Sequence, residues 1–333
     1  MKQQTIRTWA TSLLAVSALL ATVAQGQEWP KGLVEGEAVE SAVELVFTEG
    51  PAYHTDGSVF FSDIANNRIM RLLPEAGTAD VFLQPSGRSN GLMFDPQGQL
   101  LACEGNEFGG LGGRRIVRID LTTKKRTVIA DKFEGKRFNS PNDLCQDSKG
   151  RIYFTDPYYG PDRSELELDV EGVYRVDADG KNLVRVLGAD QIARPNGVAL
   201  STDGITLFVV DNHPVKPVRK LFAFSLDEQG LPGQRRELHD FGKGRGGDGM
   251  CVDKQNNLYV AAGANRLYPH QNLDNPAGVY VFSPAGKLQG VIRVPEDMVT
   301  NCCFGGEDGK TLYITGGKTL WKIRTKNSGF LNN

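Results

Sequence analysis

One stretch of sequence recurs six times along the chain, and recurrence at that spacing leaves very few folds open. The copies read EGPAYHTDGSVFFSD, NGLMFDPQGQLLACE, NDLCQDSKGRIYFTD, NGVALSTDGITLFVVD, DGMCVDKQNNLYVAA and NCCFGGEDGKTLYITG. They open on Glu49, Asn90, Asn142, Asn196, Asp248 and Asn301, at intervals of 41, 52, 54, 52 and 53 residues. That period is the length of a propeller blade.

Inside each copy two alternating apolar runs flank a tight turn such as Asp95-Pro96-Gln97-Gly98 or Asp147-Ser148-Lys149-Gly150. Asp, Asn and Gly are favoured there because they tolerate the positive φ that a hairpin turn demands. A third run follows (RIMRL, RIVRID, GVYRVD, KLFAFSL, GVYVFS, TLWKI), and most copies add a more variable fourth. The pattern predicts an all-β fold, a six-bladed β-propeller of four-stranded antiparallel blades, filling residues 27–333 as one domain. The sixth copy ends after Arg324 without a fourth strand, while Ser41 to Phe47 (SAVELVF) alternates and has no blade of its own. That N-terminal strand is expected to pair with the last blade and close the ring. The polar tail from Lys326 to Asn333 is expected to fray.

Equivalent positions of all blades lie on a ring about one axis, so the six opening residues should converge. Each carries a side-chain oxygen, two of them as carboxylates, which describes a site for a hard cation. A single strand-capping Asn would be ordinary; six at equivalent positions are not. Glu49, Asn142, Asn196 and Asp248 are the expected metal ligands, with Asn90 and Asn301 as substrate contacts at the same level. Oxygen donors without Cys or His favour Ca2+, with Mg2+, Mn2+ or Zn2+ as alternatives.

The topology puts the long connections after each second strand on the face that carries this ring. They include EGNEFGGLGGRR, DPYYGPDRSELELDVEG, DNHPVKPV and GANRLYPHQNLDNPAG, and such loops mark a substrate mouth. Arg88, Arg137, Arg194 and Arg245 precede ring residues on that face and suit a polyhydroxylated or anionic ligand. Glu104, Asp156 and Asp211 end second strands there, and His213 follows close by. Glu104, Arg137, Asp156 and His213 are therefore candidate substrate contacts. The competing role for the acids is to hydrogen-bond neighbouring loop backbone.

A formal charge of −2, with 38 basic against 40 acidic residues and no basic block, argues against nucleic acid or an anionic membrane as partner. Lys2 and Arg7 precede a charge-free apolar run, and Ala24-Gln25-Gly26 offers a cleavage site. Residues 1–26 are thus expected to be a signal peptide and the mature protein to be exported, periplasmic or secreted, with no membrane association after cleavage. The five cysteines are odd in number and lack a C-x-x-C, so buried free thiols are expected, with a Cys302–Cys303 bridge as the alternative.

The motifs EGP (49–51), SPND (140–143), RPNG (194–197), GDGM (247–250) and TNCCFGG (300–306) resemble the senescence marker protein/gluconolactonase/luciferin-regenerating (regucalcin-like) family over essentially the mature chain. The resemblance implies a six-bladed propeller with one axial divalent ion held by Glu49, Asn142, Asn196 and Asp248. It implies lactone hydrolysis, with gluconolactone the commonest named substrate and Asp248 the catalytic base or nucleophile. The chain departs from the regucalcin-type pattern at Arg137-Phe138-Asn139, which precedes SPND with an insertion. The same ligand set occurs in diisopropylfluorophosphatase-like propellers, so hydrolysis of other esters or phosphotriesters is one alternative. A non-catalytic sugar- or metal-binding propeller is the other.

Overall fold

Along the strand Thr206–His213, Leu207 and Val209 join one apolar cluster while Phe208 and Val210 join another. Successive side chains leave opposite faces of a strand, and here both faces are covered. The first cluster is shared with Tyr153 and Val173 of the preceding blade, the second with Met250 and Val260 of the following one. Six such clusters fill the gaps between consecutive blades around the ring. The core is therefore distributed, and each blade is stable only between its neighbours. Full burial of one of these large side chains stabilises by about 1.5–3 kcal/mol.

The computed structural model describes residues 36–41, 43–74, 77–106, 112–160, 162–213 and 218–331. The expected leader, residues 1–26, lies outside them. The described residues contain no helix and form a six-bladed β-propeller of four-stranded antiparallel blades. Inner strands are Thr48–Tyr53, Ser89–Phe94, Leu144–Gln146, Pro195–Leu200, Gly247–Val252 and Val299–Gly305. The turns behave as their sequences require: Gly98 and Gly150 adopt φ of 74° and 81°, and each donates its N–H back to an Asp carbonyl.

Ring closure uses a different segment from the one expected. Gly36–Ser41 pairs antiparallel with Thr319–Arg324 and completes the sixth blade, and at Glu40 and Ser41 it also runs parallel to Thr78–Leu83 of the first. Most of SAVELVF is instead a connection. Leu45 is buried against the first blade, and the Val46 and Phe47 N–H groups bond the Asp63 carboxylate, leaving none for a ladder. As far as Leu331 the C-terminal tail is docked rather than frayed. Phe330 donates its N–H to the Val252 carbonyl at 3.0 Å, Gly329 bridges to Asp253, and Leu331 packs against the cluster between blades five and six.

Candidate metal centre

In five inner strands the pairing slips by one residue at or beside the ring position: across Asn90, Asn196 and Asp248, just after Glu49 and just before Asn301. A bulge bends the strand and re-aims its side chains, here beside the propeller axis. Close approach demands small neighbours. A Cβ on Gly50 would lie 2.2 Å from the Asn90 carbonyl oxygen, and one on Gly197 equally close to that of Asp248. Glycine after the ring residue is what lets the inner strands crowd together.

Glu49, Asn90, Asn142, Asn196 and Asp248 wall one axial cavity of about 250 Å³. All five are buried. Tyr159, Asn212, Arg245 and Gln271 complete its polar wall, with Phe47 and Met298 as apolar lining. The four expected ligands are thus brought together, with Asn90 beside them.

Their orientation is controlled. Asn196 donates through Nδ2 to the Tyr159 hydroxyl at 3.1 Å and also bonds the Asp248 carboxylate. A carboxylate only accepts, so the amide nitrogen is committed and the Asn196 oxygen is the atom available to a cation. The Tyr159 hydroxyl donates in turn to the Asn212 carbonyl at 3.4 Å. Arg194 stacks 5.3 Å over the Tyr159 ring and is held by Glu171 through two contacts of 2.7 and 3.0 Å. Asp248 also bonds Arg245, whose guanidinium reaches the Gly263 and Val299 carbonyls. Burial raises the Asp248 carboxyl above its ordinary range, while Arg245 and Asn196 pull it back.

The donor set fits a hard divalent ion. No group of three His, Cys, Asp or Glu placed to hold a metal ion occurs among the described residues, so amide oxygens must supply part of any shell. Two buried carboxylates face the cavity against one guanidinium. A third, Asp143, lies fully buried just below, and burial together with the Asp248 charge pushes it up to about 7. Oxygen donors with excess buried negative charge favour calcium-like cations.

The remaining expected contacts lie outside this cavity wall. Glu104 is fully buried and bonded to Arg115 at 2.6 Å, with Arg126 at 3.4 Å. Asp156 accepts the N–H groups of Asn139 and Ser140, both at 2.8 Å. Arg137 sits on an exposed two-stranded hairpin (Lys132–Phe133 with Lys136–Arg137), its N–H on Glu167. His213 stands one residue beyond the wall, which Asn212 occupies. Asn301 faces the other way. It bonds Asp143 and lines a second axial cavity of about 160 Å³ on the opposite face.

Asp156 exposes a regular device. Asp63 and Asp156 end second strands, Asp211 stands two residues before the end of its own, and each accepts two consecutive backbone N–H groups: 46 and 47, 139 and 140, 193 and 194. Each pair lies three and two residues before a ring residue. These acids fix the entry of Glu49, Asn142 and Asn196 to the axis, and their distance from the cavity follows from that work.

Sequence reasoning missed Asp143, Tyr159, Asn212 and Gln271. Only Asp143 carries a signal, since it stands where four of the other five repeats place glycine. The lower cavity collects Cys145, Cys251, Cys302 and Cys303 and is bordered by Phe330 and Leu331. All five cysteines are free, and the nearest sulfur pair is Cys251 and Cys302 at 3.5 Å rather than the adjacent Cys302 and Cys303.

Fold and site together define a six-bladed propeller with an axial pocket of oxygen donors. The chain belongs to the SMP-30/Gluconolactonase/LRE-like family, whose region matches residues 47–318. It is 36% identical over 314 residues to a gluconolactonase of Zymomonas mobilis subsp. mobilis, covering 86% of this chain and 81% of that one. A solved gluconolactonase of Xanthomonas campestris is 30% identical, with a TM-score of 0.73 over 88% of this chain and 90% of that one. A calcium-binding regucalcin of Agrobacterium tumefaciens shares the fold at a TM-score of 0.70, with 19% identity over 89% and 96% of the two chains.

Proposed function

We propose that the protein is a lactonase, a carboxylic ester hydrolase that opens a sugar-acid lactone with water and depends on one divalent ion, calcium. The observation that carries this reading is the meeting of Glu49, Asn90, Asn142, Asn196 and Asp248 on one buried cavity. The gluconolactonase relatives named above supply the reaction class.

Glu49, Asn142, Asn196 and Asp248 would hold the ion through their oxygens. When bound, the cation supplies a Lewis acid that stabilises negative charge developing on the lactone carbonyl oxygen. Asp248 accepts the proton of the attacking water, and burial gives its carboxylate more basicity than an exposed one has. Arg245 keeps that carboxylate in place, and Tyr159 keeps Asn196 turned correctly. The ring oxygen leaves as an alkoxide still tethered to the product, so the reaction asks little of a general acid. Export to the periplasm or medium, after loss of residues 1–26, belongs to the same proposal.

The test is calorimetric titration of EDTA-stripped protein with CaCl2, then pH-stat assay on glucono-δ-lactone. One ion per chain and acid release only from the loaded protein are expected. Equal release from stripped protein, or no heat of binding, rejects the reading. For export, the mass of protein recovered from the periplasm or medium should correspond to a chain beginning at residue 27.

A further inference from the structure

The oxygen Oε1 of Gln271 is buried at the wall of the axial cavity and has no hydrogen-bond partner. Buried amide oxygens are nearly always satisfied, and one that is not marks a place where something else supplies the donor. The residue is not loosely hung. Its own N–H bonds the Tyr268 carbonyl at 3.2 Å, and the Tyr268 hydroxyl is fixed on Asp297 at 2.6 Å. On one side His270 gives its carbonyl to Arg219 at 2.9 Å. On the other, Asn272 donates to the Lys243 carbonyl at 3.0 Å and bridges to Gly244, next to Arg245. The first contact pins the segment to blade four and the second to the stretch that delivers Arg245 to the cavity, and Arg219 also holds the Lys243 carbonyl at 3.0 Å.

The geometry points to Gln271 as the residue that reads a ring hydroxyl of the lactone. This rests on the lactonase reading and assigns it a specificity determinant outside the ring of expected ligands. A hydroxyl is both donor and acceptor, so it satisfies either end of the amide. A lactone without hydroxyls leaves the amide unpaired, and sites built to bond a hydroxyl reject the analogue that lacks it. Gln271 sits on the blade-five insertion, away from the inner strands, so selectivity can be changed there without disturbing the ligands.

The experiment compares wild type with Gln271→Met on glucono-δ-lactone and on δ-valerolactone, which has the same ring and no hydroxyls. Wild type should prefer the hydroxylated ring. The variant should lose about 10-fold in kcat/KM on glucono-δ-lactone, chiefly through KM, and stay within about 2-fold on δ-valerolactone. Parallel losses on both substrates, or no change on either, overturn the assignment. A second measurement needs no turnover: calorimetry with D-gluconate and with 5-hydroxypentanoate. Wild type should favour the polyhydroxylated acid and Gln271→Met should not. If that discrimination holds while no lactone is opened, the lactonase reading fails and the Gln271 assignment stands. If wild type does not discriminate, the assignment fails.

Discussion

Asn196 donates its amide nitrogen to the hydroxyl of Tyr159, and that contact decides which end of the amide meets the axis. A tyrosine from a surface insertion thereby governs a residue on an inner strand. Removing the hydroxyl in Tyr159→Phe keeps the ring that Arg194 covers, so packing should survive. Outer contacts that orient a metal ligand are worth about 10–100-fold in affinity. The expected result is calcium binding weaker by about 10-fold at nearly unchanged Tm, read by calorimetry and thermal melts.

Asp248→Asn should separate holding from chemistry. The amide keeps an oxygen for the cation and a similar shape, but it cannot accept a proton. Turnover should fall by about 10²–10⁴, the usual worth of a general base. The melting curve should stay cooperative. A variant retaining more than a tenth of wild-type kcat would remove Asp248 from the proton-accepting role.

Asp156 should make metal-free stability depend on pH. Its folded carboxyl is pushed up to about 7 by burial, with Glu171 adding to the rise and the Asn139 and Ser140 N–H groups and Arg114 opposing it. Below pH 4 both folded and unfolded states are protonated. Between about 4 and 7 the folded state holds the extra proton, so stability falls as pH rises, by at most about 1.4 kcal/mol per pH unit. Above pH 7 this contribution is flat. Asp156→Asn should lessen the slope and cost about 1–3 kcal/mol, because an amide nitrogen would face one of the two N–H groups. Urea melts at several pH values measure both effects.

Gly197→Ala should damage the centre through the backbone. The new methyl would lie 2.2 Å from the Asp248 carbonyl oxygen, so the inner strands of blades four and five must part at the ring. Calcium affinity should drop by more than 10-fold, and Tm should fall as well, since the clash is against main chain. Unchanged binding would show that the inner strands have more room than the geometry allows.

The repeat made the blades legible because both faces of each blade are buried and the turns need particular residues. The ring was legible for a related reason. Glu49, Asn142, Asn196 and Asp248 recur at one register position, and bulges at or beside it aim Glu49, Asn196 and Asp248 inward. Tyr159 and Gln271 were not legible, since insertions differ from blade to blade and nothing in DPYYG or PHQNL specifies which side chain turns inward. Of the two roles the sequence left open to Asp156, substrate contact and loop support, the second holds: a carboxylate on the ligand face can serve the site by gripping loop backbone. Closure by Gly36–Ser41 instead of Ser41–Phe47 shows the limit of alternation, because Val46 and Phe47 alternate correctly yet spend their N–H groups on Asp63.

The sixth blade takes its outermost strand, Gly36–Ser41, from the opposite end of the polypeptide. During translation this blade has to wait until its last strand, Thr319–Arg324, clears the ribosome, although its first-made partner has long been waiting. Until that zipper forms, Glu49 and Asp248 belong to an open arc and not to a shared pocket. The pocket that the proposed cation would enter is therefore assembled only after Thr319–Arg324 has been made and paired.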